Sequence, residues 1–418
     1  LLAKQYDAVI ANPPYMGGKG MNTALKDFAK KTFPDSKSDM FAMFIERCQA
    51  LSKISGETAF VTPYVWMFIS SYEQMRSKLV TDATIQSLVQ LEYNAFEPAC
   101  VPVCAFIVGK AHIPDFVGSY IKLSEFKGHE NQAPKTLEAI NNPECGWFYT
   151  ARPDDFKKIP GNPIAYWVSE KIKNLFSNNQ SFNDVTETTV GLFTCDNERF
   201  LRKWHEVPFT EIGFNFKNRD IAEKSNFKYF PYNKGGGFRK WYGLNEFVVQ
   251  FNNDGLDIRN HRKNSGQSFS LPGEKYYFKP SVSWADITSS INSFRFYPQG
   301  FIFDVKGQSA FSDFYSHNFC LSILNTNLIS HLMPILNPTI SFQSGNFKQL
   351  PFLNDVDNSL NIQKAIDSAK KDWDSYETSW DFTENPIICT QQPNLEQAFN
   401  TWQQQNADAV AEMKRLEE

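Results

Sequence analysis

Apolar and polar residues follow two different periods along the first hundred positions. Residues 6–11 (YDAVIA) form an apolar run that reads as a buried strand. Residues 39–52 (DMFAMFIERCQALS) set apolar side chains at helical spacing against a polar opposite face. Gly56 opens a second strand over 57–63, residues 72–80 read as a helix, and 85–92 and 101–110 read as further strands. Strand and helix in alternation predict an α/β fold. Regularity drops between 127 and 163, where Pro, Asn and Gly accumulate as in a connection between domains, and a helix over 164–176 leads onward. From about 182 to 352 short strands, glycine turns and aromatics take over, with a helical element at 321–333 that carries His331, read as a packed helix-end histidine. Two helices, 362–377 and 395–417, surround a Pro-containing break in the tail, where Trp373, Trp380 and Trp402 predict docking on the rest of the chain.

A length of 418 residues suits two or three domains with real cores, and no apolar run approaches the roughly 20 residues that span a membrane. Seven cysteines at irregular spacing predict buried thiols, Cys100 and Cys104 among them, and a reducing, cytoplasmic setting. No metal site is expected. The formal net charge of −4 hides an asymmetry. Residues 217–295 hold thirteen basic and seven acidic side chains, a balance of +6, whereas 351–418 hold five and thirteen, a balance of −8. Local charge sets the field that a phosphate backbone meets. Lys234, Arg239, Lys240, Arg259, Arg262, Lys263, Lys279 and Arg295 are the candidate DNA-binding cations, with Trp241, Tyr242 and Trp284 among them to pack on sugars. The acidic tail suits packing on the enzyme or meeting another protein.

The strongest candidate chemistry is Asn12-Pro13-Pro14-Tyr15, directly after the first strand. The prolines fix their own φ and push the preceding residue toward extended backbone. Asn12 Oδ1 and the Pro13 carbonyl can then accept hydrogen bonds from one exocyclic amine, while Tyr15 stacks on the ring that bears it. Met16-Gly17-Gly18-Lys19-Gly20, just beyond, reads as a mobile loop over that pocket.

The motif resembles the catalytic motif IV of S-adenosylmethionine-dependent amino-methyltransferases. Residues 56–63 with Met75-Arg76 resemble the block that follows it in that family, and Gly235-Gly236-Gly237-Phe238-Arg239-Lys240-Trp241-Tyr242-Gly243 resembles the target-recognition part of BREX phage-defence methyltransferases of the PglX type, relatives of single-chain restriction-methylation enzymes. The resemblance implies that residues 1–126 are the C-terminal part of a Rossmann-like catalytic domain and 127–181 a connector. A mixed α+β DNA target-recognition domain would occupy 182–352, and 353–418 would form a helical tail. It implies N6 methylation of an adenine flipped from duplex DNA, with Asn12 and Pro13 orienting the amine, Pro14 stiffening the corner, and Tyr15 with Phe96 against the base. It further implies a cofactor site mostly upstream of residue 1, with Asn12 at its edge, an inactive isolated fragment, and other phage-defence proteins as partners of the tail. Methylation of a protein glutamine, or a non-catalytic DNA-recognition subunit, stand as the alternatives.

Overall fold

Six strands gather into one sheet in the first part of the chain in the computed structural model, which describes residues 4–96, 101–287, 291–354 and 359–417. The chain divides into two units, residues 1–179 with 335–338, and 180–334 with 339–418. The first unit contains β1 (Tyr6–Ala11), α1 (Thr23–Thr32), α2 (Met40–Leu51), β2 (Ser52–Pro63), α3 (Glu73–Asp82), β3 (Thr84–Gln90), β4 (Val103–Gly109), β5 (Gly118–Lys122), α4 (His129–Asn141), β6 (Phe148–Ala151), α5 (Pro153–Lys157) and α6 (Glu170–Asn178). Its sheet runs β1-β2-β4-β3-β5-β6, with β1 parallel to β2, β3 parallel to β5, and β4 antiparallel to both its neighbours. The alternating α/β pattern expected from the sequence is the observed one.

Period-two alternation explains how the sheet packs. Phe60, Phe106 and Leu88 lie in one register row across β2, β4 and β3, and all three are buried in one core cluster with Phe41, Ala42 and Ile45 of α2. The opposite face is different. Ile10, Ala59, Val61, Val89, Ala105 and Ile107 line a shallow trough of about 380 Å³. β1, expected to be a buried strand, is the edge of this sheet, and Ile10 is 82% exposed. An apolar run states that a strand seeks cover, not which neighbour supplies it.

Other differences are local. β2 starts at Ser52 rather than after Gly56, and a Cβ at Gly56 would come within 2.9 Å of the Tyr6 and Asp7 carbonyls, so the glycine lets β1 pass where the register shifts. The stretch 127–163, read as irregular, supplies α4 and the sixth strand. The helix expected from 164 begins at Glu170, because Ser169 caps it and Ile164–Tyr166 are buried in the core outside any helix. Cys104 is fully buried, while Cys100 lies outside the described residues. No single helix among the described residues is long and apolar enough to cross a membrane.

The second unit is built from β7 (Gln180–Ser181), α7 (Phe182–Val185), β8 (Glu187–Thr189), α8 (Asn197–Phe200), β9 (Leu201–Lys203), α9 (Arg219–Glu223), β10 (Tyr229–Asn233), β11 (Phe247–Gln250), α10 (Asn252–Asn264), β12 (Ser281–Ala285), β13 (Arg295–Tyr297), β14 (Ile302–Phe303) and β15 (Gly307–Phe311). It continues through α11 (His317–Leu324), α12 (Asn327–Leu336, the last two residues counted with the first unit), α13 (Ser344–Lys348), β16 (Pro351–Phe352), α14 (Ser359–Asp374) and α15 (Leu395–Glu417). Two four-stranded sheets, β14-β10-β11-β9 and β13-β12-β15-β8, surround an aromatic core. The helical element expected at 321–333 is a pair, α11 and α12, bent by 73°. His331, expected to pack, is exposed on α12.

Arg76 fastens the turns beyond β2. It is buried, and its guanidinium donates to the carbonyls of Trp66 (2.8 Å), Ile69 (2.6 Å) and Gly161 (2.8 Å). Burial lowers its pKa to about 10, still well above neutrality, so it stays charged. Replacing it strips donors from three carbonyls. Arg76→Met is expected to cost about 2–4 kcal/mol, read as a lower urea midpoint; an unchanged midpoint would remove Arg76 from this role.

Candidate catalytic corner and basic surface

The register of the sheet sets the candidate corner. Ala11 pairs with Phe60, Phe60 with Phe106, and Phe106 with Leu88, so β1, β2 and β3 all end at one edge, where β4 begins. In open α/β sheets that carboxyl edge is where ligands bind. Asn12-Pro13-Pro14-Tyr15 and the stretch leading to Phe96 both leave the sheet there.

Pro13 is buried, and Asn12, Pro14 and Tyr15 are exposed. The Tyr15 hydroxyl donates to Asn12 Oδ1 or to the Val61 carbonyl, each at 3.3 Å. One proton serves two acceptors, and an amide oxygen has two lone pairs, so Asn12 Oδ1 retains capacity for another donor. The Tyr15 ring stands edge-on to Phe41, centroids 6.3 Å apart at 87°, with 40% of the residue still open. Partial burial raises the phenol pKa, with Cys104 adding to the shift, so the hydroxyl remains a donor at neutral pH. Phe96 is 51% exposed, not packed in the core.

Sequence reading missed Asp39. It caps α2, its Oδ1 accepting from Phe41 N (3.3 Å), and the same oxygen accepts from Met16 N (2.9 Å). The Met40 amide donates back to the Met16 carbonyl at 3.1 Å, and Gly18 N to the Ser38 carbonyl at 3.2 Å. The glycine-rich loop expected to be mobile is therefore stitched to the start of α2. An Asp immediately before an apolar helical run is a cap signal, and that signal was present in the sequence.

In the second unit the basic residues separate into two groups. Arg295 is fully buried, and its Nη1 donates to the carbonyls of Gly237 (3.1 Å) and Arg239 (3.3 Å). Arg259 pairs with Asp254 and Glu274, both at 2.7 Å, and Arg262 is buried with its guanidinium on the Phe193 carbonyl. Lys234 pairs with buried Asp304. These four were expected to face DNA and are instead engaged in ion pairs and backbone hydrogen bonds within the unit. Arg239 meets Asp372 (2.6 Å), and Lys240 meets Glu417 (3.3 Å), so the acidic tail covers both. Only Lys263 and Lys279 of the eight are exposed, joined by Lys217, Lys224 and Lys228, which sequence reading passed over. Among the described residues no group of three His, Cys, Asp or Glu side chains is placed to hold a metal ion.

Comparison with known proteins adds three findings. Residues 2–96 match the model of the Eco57I restriction-modification methylase family. The chain is 36% identical, over all of its length and 36% of the relative's, to the adenine-specific methyltransferase PglX of Lacticaseibacillus casei. It is also 36% identical to the adenine-specific methyltransferase BrxX of Escherichia coli, over 93% of this chain and 31% of that one. The chain thus spans about a third of the length of these relatives. Two solved structures share the fold. The type IIL restriction-modification enzyme MmeI in complex with DNA covers 98% of this chain and 55% of its own at 10% identity, with a TM-score of 0.54. The type ISP enzyme LlaGI in complex with a DNA substrate mimic covers 88% and 35% at 11% identity, with a TM-score of 0.51.

Arg259→Met leaves Asp254 and Glu274 without one cation and is expected to destabilise the unit by about 2–4 kcal/mol, whereas Lys263→Gln should stay within about 0.5 kcal/mol of the parent. Urea denaturation compares the two; equal effects would contradict the division into structural and surface cations.

Proposed function

Because this chain is 36% identical to PglX over its whole length and to BrxX over 93% of it, we infer that it carries the amine-gripping corner and the sequence-reading part of a site-specific DNA adenine methyltransferase. The observation that carries this reading is the placement of Asn12-Pro13-Pro14-Tyr15 at the carboxyl edge of the sheet, with the Tyr15 ring beside the Asn12 amide.

S-adenosylmethionine supplies the methyl group when bound. Asn12 sits at the margin of its site. Among the described residues β1 ends the strand order, and this position with the open apolar trough beside it fits further sheet and cover supplied by the additional length of the relatives, where most of the cofactor's contacts are assigned. Asn12 Oδ1 and the Pro13 carbonyl accept hydrogen bonds from the N6 amine of adenine and relieve the positive charge that builds on its nitrogen. The rigid prolines hold those acceptors in line for transfer. Tyr15, with Phe96 as the second aromatic, stacks on the extruded base and offsets part of the few kcal/mol that unstacking costs. The second unit reads sequence, its exposed lysines meeting phosphates, and the setting is discrimination of self from phage DNA in the cytoplasm, where the free thiols of Cys48, Cys104 and Cys320 persist. The acidic tail is the part that meets other defence proteins.

Asn12→Ala in the intact protein, upstream segment included, is expected to lower methyl incorporation into duplex DNA by about 10²–10³-fold while duplex affinity holds. Loss of both together would make Asn12 a folding residue. The 418-residue chain alone should transfer no methyl group, and turnover by it would refute the assignment of the cofactor site. Lys263→Gln with Lys279→Gln should reduce the slope of log affinity against log salt by up to about two, weakening all duplexes alike; an unchanged slope would exclude both lysines from the DNA surface.

A further inference from the structure

Tyr64 stands at the same carboxyl edge of the first sheet as Asn12 and Tyr15. Thr62 and Gln90 are both register partners of Cys104, so the ends of β2 and β3 flank the start of β4. The chain leaves β2 at Pro63, and the Tyr64 amide donates to the Pro102 carbonyl at 3.0 Å. That bond holds Tyr64 at the edge, half-buried, with its ring edge-on to Phe68 at 6.4 Å and 88°. The Tyr15 hydroxyl reaches the Val61 carbonyl, near the end of the same strand. Since β1 and β2 are neighbours, the two tyrosines follow adjacent strands, whose spacing is about 4.8 Å.

The hydrogen bonds behind Tyr64 have a fixed direction. Gln90 is buried, and its Oε1 accepts from the Tyr166 hydroxyl at 2.9 Å. With its oxygen turned to Tyr166, the Gln90 amide offers its NH2 end to Tyr64. Burial raises the Tyr64 phenol pKa, while the Gln90 side chain pulls it down, as a donor to the phenol oxygen does. Cys104 and the buried Glu92 carboxylate add to the rise, so Tyr64 keeps its proton at neutral pH. Cys104 also raises Tyr15, which places both tyrosines beside one thiol. Among the described residues no oxygen accepts the Tyr64 proton. The phenol oxygen is held from inside, and its donor is left for a ligand.

We propose that Tyr64 reads the target base, its hydroxyl donating to a ring nitrogen beside the amine, N1 or N7 of adenine. The proposal rests on the adenine reading of the corner and deepens it. Asn12 Oδ1 and the Pro13 carbonyl are acceptors, and acceptors alone grip any exocyclic amine, that of cytosine included. A donor next to them completes the pattern that adenine presents, an amine flanked by acceptor nitrogens. A pocket built to make that bond discriminates against a base that cannot return it.

The test uses the intact protein, upstream segment included, and duplexes in which the methylated adenine is replaced by 1-deazaadenine or 7-deazaadenine. Each analogue lacks one ring nitrogen and keeps the amine. For the parent protein, kcat/KM of methyl transfer is expected to fall about tenfold or more on at least one analogue. Tyr64→Phe keeps the ring against Phe68 and should lose a similar factor on adenine, yet lose nothing further on the sensitive analogue. A packing role produces no such non-additivity. Undiminished transfer to both analogues, an unaffected Tyr64→Phe, or a Tyr64→Phe loss of equal size on adenine and on both analogues would overturn the role of Tyr64. Each of those results leaves the grip of the corner on the amine standing. Absence of transfer to any DNA by the parent protein would instead sink the adenine reading, and this proposal with it.

Discussion

Two consecutive prolines at the end of β1 constrain everything that follows them. Neither can donate to a β ladder or enter a helix interior, so the chain must leave the sheet as extended backbone. That exit carries Tyr15 back over the end of β2, where its hydroxyl reaches the Val61 carbonyl. Asp39 then catches the Met16 amide with the oxygen that also caps α2. The corner is thus clamped on both sides, by a strand end and by a helix start. Neither clamp consumes the acceptors that the proposed chemistry needs. Preorganisation of this kind, with the acceptors fixed before the amine arrives, is where such a site gains its rate.

The second unit shows a different economy of charge. Its cations are mostly spent on structure: Arg259 on Asp254 and Glu274, Arg262 and Arg295 on backbone carbonyls, Lys234 on Asp304. The C-terminal helices neutralise Arg239 and Lys240, and Trp373 lies 5.2 Å from the Arg239 guanidinium. Thr378 accepts from Trp204 Nε1 at 2.9 Å, and Trp380 packs on Phe214 and Phe301, which explains why a strongly acidic tail folds onto this unit at all. A local excess of positive charge in the sequence therefore overstates the positive surface. What remains for phosphates is a smaller set of exposed lysines.

The sequence made some of this legible and concealed the rest for identifiable reasons. α2, β3, β4 and the two tail helices follow from local periodicity, and the structure places them within a few residues of expectation. The turn at Asn12-Pro13-Pro14-Tyr15 after β1 was legible because it is carried by adjacent residues. The edge position of β1 was not, since it depends on which strands pair, a non-local fact. The pairing of Arg239 and Lys240 was hidden for the same reason: Arg239 and Asp372 are 133 residues apart, and Lys240 and Glu417 are 177 apart. Residues 127–163 misled because Pro134 sits inside α4, where a proline ordinarily argues against a helix.

The central claim is that a proline-stiffened corner grips the amino group of adenine in duplex DNA. Its most direct test is a map of N6-methyladenine in DNA from cells that carry the gene and from cells that lack it. The account predicts methylation at one recurring sequence context, present only with the gene. Identical adenine maps in the two cell lines, with a gene-dependent methyl group found instead on protein glutamine, would contradict it.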